Sequence, residues 1–241
     1  MTGKSYFHRG GDTPLLGETI PEHFARIVKQ FPDNEAIVSI PQNRRLTYHQ
    51  LSEETDRIAK GLLALGFGKG DRLGVWSTNN IEWLLLQLST ARIGVVLVNI
   101  NPAYRPRELA YALQRSEVEC IVTIPSFSTS DYVGMLAELA PELTASKPGE
   151  FKNKELPFLR RVILYDPADP DNTQRPHPGF NTWPELLEAG ESITPEALDE
   201  ATAELNIDDP INIQYTSGTT GFPKAVVLTH HNILNNGWFT A

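Results

Sequence analysis

The chain has 241 residues, of which 40% are hydrophobic and 21% are charged, enough for one large domain or two smaller ones and unlike a disordered protein. Its 30 acidic and 21 basic side chains give a net charge of -9, so no nucleic-acid partner is expected, because such a partner requires a basic face. The single cysteine, Cys120, excludes an internal disulfide and is expected to be a small buried residue.

No secretory signal is visible near the N-terminus, where no apolar run follows basic residues. The most apolar window, residues 81–98, contains Glu82 and Arg92 and is divided by Gly94. It therefore predicts a helix followed by a strand rather than a membrane span, which needs about 20 predominantly apolar residues. We expect a soluble, cytoplasmic protein without a transmembrane segment.

Helices and strands alternate along the first part of the chain. Thr19 and Thr47 each open a capping box, which predicts helices at about 20–30 and 48–65, the second ended by Gly66. Further strands are predicted at 35–40, 72–76, 95–98 and 120–124, and further helices at 81–92, 106–116 and 131–139.

The second part begins with an irregular, proline-rich stretch over residues 141–181, with one strand predicted at 161–165. Short helices at 182–189 and 195–205, strands at 211–215 and 225–229, and a helix from 231 are predicted after it.

This order indicates an α/β fold: a layered αβα unit with a mostly parallel sheet, which binds ligands beyond the carboxyl ends of its strands. Residues 1–205 are assigned to this layered subdomain. Residues 206–241 are interpreted as the start of a second α/β subdomain, which is incomplete because the last helix reaches Ala241 without a capping signal.

The segment YTSGTTGFPK, residues 215–224, carries the most chemical information. Glycines allow backbone N–H groups to turn towards an anion, hydroxyl groups donate hydrogen bonds, and lysine adds a positive charge. The spacing is not that of a Walker A loop. On composition alone, a phosphate-binding loop and an ordinary polar hairpin loop both remain open.

The same segment resembles the phosphate-binding signature of the adenylate-forming (AMP-binding) superfamily, which includes acyl-CoA synthetases and adenylation domains. Further matching landmarks follow in the family's order: LTYHQL at 46–51, GFGKGDR at 66–72, NIEW at 80–83 and NINPAYR at 99–105. The stretch from 101 to 109 looks most like medium- and long-chain fatty acyl-CoA synthetases. The resemblance covers the chain from about residue 19 to its end.

The resemblance implies that a carboxylic acid reacts with Mg-ATP to give an acyl-adenylate and pyrophosphate, and that the thiol of CoA then displaces AMP. ATP, Mg²⁺, CoA and a fatty acid or other carboxylic acid are therefore the expected ligands. The residues implied to hold the β- and γ-phosphates are Thr216, Ser217, Gly218, Thr219, Thr220, Gly221 and Lys224.

The chain differs from the family in two respects. The family usually has glycine directly after the signature lysine, where this chain has Ala225. The segments that the family uses for adenine, ribose and acyl binding, the hinge and the mobile C-terminal domain find no counterpart here, so we assign no catalytic residue. We therefore expect the N-terminal part of an acid–CoA ligase, inactive without its C-terminal part.

Two alternatives stay open. One is a short, non-catalytic module that binds a nucleotide or a partner and is derived from the same fold. The other is an aryl-acid ligase or another adenylating enzyme.

Some remaining residues suggest other chemistry only weakly. The adjacent His230 and His231 lack a carboxylate or cysteine at ligand spacing, so helix capping and packing is favoured over a metal site or substrate contact. The pairs Arg44–Arg45 and Arg160–Arg161 are interpreted as solvated strand flanks, and Trp76 and Trp83 as core residues.

Overall fold

The computed structural model describes residues 13–169, 177–217 and 223–240. The helices in these ranges are α1 Ile20–Gln30, α2 Tyr48–Ala64, α3 Ile81–Arg92, α4 Pro106–Arg115, α5 Tyr132–Leu139, α6 Trp183–Ala189, α7 Pro195–Ala203 and α8 His230–Thr240. The strands are β1 Glu35–Ser39, β2 Arg44–Thr47, β3 Arg72–Trp76, β4 Val96–Ile100, β5 Cys120–Thr123, β6 Ser126–Phe127, β7 Ser130–Asp131, β8 Arg161–Leu164, β9 Asn181–Thr182, β10 Pro210–Thr216 and β11 Lys224–Thr229.

The predicted capping signals start the helices on the first face of the sheet. The Thr19 hydroxyl accepts a hydrogen bond from the Glu22 amide, and the Glu22 carboxylate accepts one from the Thr19 amide, which closes the capping box of α1. Thr47 closes the same box for α2. Asn80, rather than Asn79, caps α3 by accepting a hydrogen bond of 2.7 Å from the Trp83 amide.

The main sheet has seven strands in the described residues, in the order β11-β10-β4-β3-β5-β8-β9. Every neighbouring pair is parallel except β10 and β11, which are antiparallel. The inner strands are buried almost throughout, as expected for a sheet covered on both faces. The predicted mostly parallel α/β sheet is confirmed.

Helices cover both faces of this sheet. α2 packs against α1, α3, α6 and α7 on one face, and α4 packs against α5 on the other. The stacked rings of Trp76 and Tyr132, 3.9 Å apart, lie in the core, so the core role of Trp76 is confirmed. Cys120 is also fully buried, and burial raises the pKa of its thiol to about 12.

β10 joins the sheet by pairing in parallel with β4, and β11 forms the sheet edge. The predicted boundary between residues 205 and 206 therefore does not separate two sheets, because the segments before and after it both contribute strands to the main sheet. The division into subdomains stays a prediction. Val226 and Val227 on β11, together with Trp238 and Phe239 on α8, are exposed apolar residues at this edge.

One sequence interpretation is wrong. Arg44 is not a solvated flank, because residues 44–47 form β2 and pair with β1. Its guanidinium donates to the buried Glu82 carboxylate at 2.9 Å and also contacts Glu54. Charge pairing therefore holds this end of the β1–β2 hairpin against the start of α3.

Among the residues that the structure describes, no helix has the length and apolar character needed to cross a membrane.

Candidate functional site

The predicted phosphate loop leaves the sheet at its carboxyl edge. β3, β4 and β10 are parallel, with Gln214 of β10 in register with Asn99 of β4, so their carboxyl ends meet. The residues that follow these strands are Ser77, Asn101 and Ser217. Connections from β3 and β4 lead to helices on opposite faces, and a doubly wound sheet binds its ligands where connections diverge in this way.

β10 and β11 form a hairpin around the loop, which we call the phosphate hairpin, residues 210–229. Thr216 and Lys224 are paired directly across it. Cross-strand neighbours lie roughly 5 Å apart at Cβ, so a hydroxyl and an exposed ammonium group start from the same end of the hairpin. Gly218, Thr219, Thr220 and Gly221 lie outside the described residues, and their phosphate-binding roles stay predictions.

Hydrogen bonds of two tyrosines connect both ends of the loop to α4. The Tyr215 hydroxyl donates to the Ala112 carbonyl at 3.0 Å and lies 2.7 Å from the Ser116 hydroxyl. The Tyr111 hydroxyl donates to the Pro223 carbonyl at 3.4 Å. Burial raises the pKa of Tyr215, so its phenol remains a neutral donor. The loop therefore begins and ends at points held by the same helix.

A cavity of about 500 Å³ lies at the same edge, next to the start of the loop. Its lining contains hydroxyl, amide and apolar groups: Ser77, Thr78, Asn79, Trp83, Asn99, Ile100, Asn101, Pro102, Phe127, Gln214 and Tyr215. None of these side chains carries a charge. This edge cavity is therefore suited to an uncharged part of a ligand, while Lys224 at the hairpin is suited to an anionic part.

The amide side chains of this cavity were not among the site residues predicted from the sequence. Asn99 interrupts the otherwise apolar strand β4, and Gln214 is a polar residue of the alternating strand β10; both come shortly before the carboxyl ends of their strands. A polar residue at that position is the signal that could have identified them, because parallel strands place such residues at one edge. Trp83, assigned to the core, is partly buried and lines this cavity.

Ala225, which replaces the family's usual glycine, is an ordinary strand residue. It pairs with Tyr215 across the hairpin, and its φ is not among the positive values found in the described residues. A side chain at this position therefore causes no backbone strain, and the departure from the family pattern is compatible with the hairpin.

His230 has structural contacts. It is completely buried, and its Nδ1 atom accepts a hydrogen bond of 3.3 Å from the Ile20 amide at the start of α1. Burial lowers its pKa to about 4, so the ring is neutral near pH 7. In the ranges that the structure covers, no group of three or more His, Cys, Asp or Glu side chains could hold a metal ion.

Comparison with known proteins gives relatives that are named acyl-CoA ligases or synthetases. The chain is 43% identical over 235 residues to the medium-chain acyl-CoA ligase ACSF2, mitochondrial, of Rattus norvegicus, which covers 97% of this chain and 37% of the relative. It is 37% identical over 222 residues to the putative acyl-CoA synthetase YngI of Bacillus subtilis, which covers 92% of this chain and 39% of the relative. The chain thus spans less than two fifths of the relatives' length.

Solved structures share the fold. The acetoacetyl-CoA synthetase from Streptomyces lividans superposes with a TM-score of 0.70 at 26% identity, covering 91% of this chain and 31% of that one. The anthranilate CoA ligase AuaEII in complex with anthranoyl-AMP gives a TM-score of 0.69 at 18% identity, covering 91% and 36%. The family of AMP-binding enzymes matches residues 24–240. The fold, the phosphate hairpin and this match show that the chain belongs to the AMP-binding enzyme family.

Proposed function

We propose that this chain is the phosphate-binding part of an AMP-forming acid–CoA ligase, and that the phosphate hairpin holds the pyrophosphate end of ATP. The observation that carries the proposal is the pairing of Thr216 with Lys224 at the carboxyl edge of the sheet. Hydroxyl groups and an ammonium at that edge match the charge and hydrogen-bonding needs of a polyphosphate.

In the proposed reaction, a carboxylate oxygen of the acid forms a bond to the α-phosphorus of ATP, and the bond from that phosphorus to the pyrophosphate oxygen breaks. In the second step, the CoA thiol loses its proton to solvent, its sulfur bonds to the acyl carbon, and the bond from that carbon to the phosphate oxygen breaks, so that AMP leaves. Because the carboxylate is already a nucleophile, the protein acts mainly by positioning and by neutralising charge. Lys224, Thr216 and Ser217 would hold the leaving pyrophosphate as its negative charge increases.

Magnesium would enter as part of Mg-ATP, where it offsets phosphate charge. We assign no metal ligand on the chain, and the described part of the phosphate hairpin offers hydroxyl rather than carboxylate oxygens at Thr216 and Ser217. Thr219 and Thr220, which lie outside the described residues, stay in the proposed phosphate-binding set.

A medium- or long-chain fatty acid is the proposed acid, supported by relatives that are named medium-chain acyl-CoA ligases. Those relatives are also named mitochondrial. A cytoplasmic location for this chain therefore remains a prediction from its sequence, and the relatives favour testing a mitochondrial location beside it.

Two alternatives make different predictions. An aryl-acid ligase is suggested by the shared fold with the anthranilate CoA ligase, although 18% identity supports only the fold. A short, non-catalytic module derived from this fold would bind phosphate without completing either step.

The test is acid-dependent exchange of pyrophosphate into ATP by the complete polypeptide that carries this segment in its source cell. We expect exchange with fatty acids, CoA-thioester formation when CoA is added, and loss of exchange in Lys224→Ala. Exchange with aryl acids alone would favour the first alternative, and pyrophosphate binding without exchange the second. Unchanged exchange in both Lys224→Ala and Thr219→Ala would remove the loop from the mechanism.

A further inference from the structure

A row of polar side chains lies along β10 of the phosphate hairpin, on the face of the sheet covered by α3. Asn212, Gln214 and Thr216 alternate along β10 and therefore point to this face, whereas Tyr215 points to α4. Thr216, the first side chain of the proposed phosphate set, is thus the next member of the row after Gln214.

The amide groups of this row donate their hydrogen bonds successively towards Gln87 of α3. Gln214 Nε2 donates to Asn212 Oδ1 at 2.7 Å, and Asn212 Nδ2 donates to Gln87 Oε1 of α3 at 3.0 Å. Asn99 Nδ2 of β4 lies 3.4 Å from the same Asn212 Oδ1. The acceptor oxygen of Gln87 therefore determines which way the Asn212 amide faces, and Asn212 in turn orients Gln214 and Asn99.

The presence of these buried amide side chains is not explained by a contribution to the stability of the fold. Asn212 is fully buried, and Gln87 Nε2 and Asn99 Oδ1 are buried without a hydrogen-bond partner in the described parts of the chain. A buried, unpaired polar group destabilises a fold by about 1–3 kcal/mol, and an apolar pair of similar shape would avoid that loss. Polar groups kept in such a place are expected where they serve a site.

We propose that Gln87 and Asn212 are positioning residues for the phosphate hairpin. They fix the carboxyl end of β10, with Gln214 at the edge cavity and Thr216 at the loop, in the orientation that binds pyrophosphate. This inference rests on the proposed function, because it assigns a role towards the same loop.

The test is a titration of the 241-residue chain with magnesium pyrophosphate, followed by ¹H–¹⁵N NMR, with the unfolding midpoint in urea measured for each variant. The double variant Gln87→Leu/Asn212→Val replaces the amide pair by an apolar pair. Gln87→Glu keeps an oxygen acceptor for Asn212. Gln30→Leu, at an exposed position on α1, makes the same glutamine-to-leucine change away from the row.

We expect the double variant to bind pyrophosphate about tenfold more weakly, the equivalent of one hydrogen bond. Its unfolding midpoint should stay equal or rise, because the Gln214 and Asn99 amides that lose the Asn212 oxygen line the edge cavity, where water can replace it. Gln87→Glu and Gln30→Leu should bind like the wild type. Wild-type binding in the double variant would overturn the proposal, as would weak binding accompanied by a lower midpoint, or weak binding in Gln87→Glu.

The outcomes separate the two proposals. If Lys224→Ala loses binding and the double variant does not, only the positioning role fails. If the wild type shows no saturable binding, or Lys224→Ala binds equally well, the phosphate function itself fails, and the positioning role fails with it.

Discussion

Folding should lose stability below neutral pH because of His230, at the start of α8. This side chain is fully buried, accepts one hydrogen bond from the Ile20 amide, and leaves Nε2 without a partner in the described residues. Burial lowers its pKa from 6.5 to about 4, against the opposing charges of Asp209 and Glu22 and with the help of Lys69. The folded chain thus resists protonation that the unfolded chain accepts.

The sign and size follow from this difference. Between pH 6.5 and pH 4 the unfolded chain binds the proton and the folded chain does not, so the stability is complete above pH 6.5 and falls as the pH decreases. At about 1.4 kcal/mol per pH unit, the whole effect is roughly 3 kcal/mol. About 2 kcal/mol of it should be lost between pH 7 and pH 5.

Urea unfolding at several pH values between 5 and 7.5 measures this loss. His230→Gln keeps a hydrogen-bond acceptor and removes the titration, so the wild type should lose about 2 kcal/mol more than this variant between pH 7 and pH 5. His49→Gln, at an exposed position on α2, is the control and should behave like the wild type. Equal pH dependence in the wild type and His230→Gln would refute the reasoning.

Two further predictions concern glycine and alanine positions. A Cβ at Gly61 of α2 would lie 2.2 Å from the Leu186 carbonyl oxygen of α6, so Gly61→Ala should lower the free energy of unfolding by at least about 2 kcal/mol, whereas Gly17→Ala, with no atom within 4 Å, should not. Equal stability of both variants in urea would show that α2 and α6 do not pack this closely. Ala225→Gly should lower the free energy of unfolding by about 0.5–1 kcal/mol and leave pyrophosphate affinity unchanged, because Ala225 is a regular strand residue. Tighter binding in Ala225→Gly would show that the family's glycine is needed for the loop.

Much of the fold could be predicted because its signals are local. Thr19, Thr47 and Asp131 start helices by hydrogen bonds within their own first turn. The short apolar strands predicted a parallel sheet because buried strands have no polar face. The sequence did not predict β2, because only Leu46 among its residues is buried and its arginines resemble a solvated flank.

The site could be predicted only in part, for a related reason. The loop at residues 215–224 carries its chemistry in consecutive residues, so composition and resemblance were sufficient to identify it. Asn99 and Gln87 reach Asn212 across more than 100 residues, through the pairing of β10 with β4 and the packing of α3 on that face. That proximity depends on strand order, which no local pattern contains.

The central claim is that the phosphate hairpin binds the pyrophosphate end of ATP, and direct titration of the 241-residue chain with magnesium pyrophosphate tests it. Lys224→Ala should bind roughly 10- to 100-fold more weakly than the wild type, as expected for loss of a charged hydrogen bond. Lys154→Ala, at an exposed position in the loop before β8, should bind like the wild type. Equal affinity of the wild type and Lys224→Ala would contradict the account.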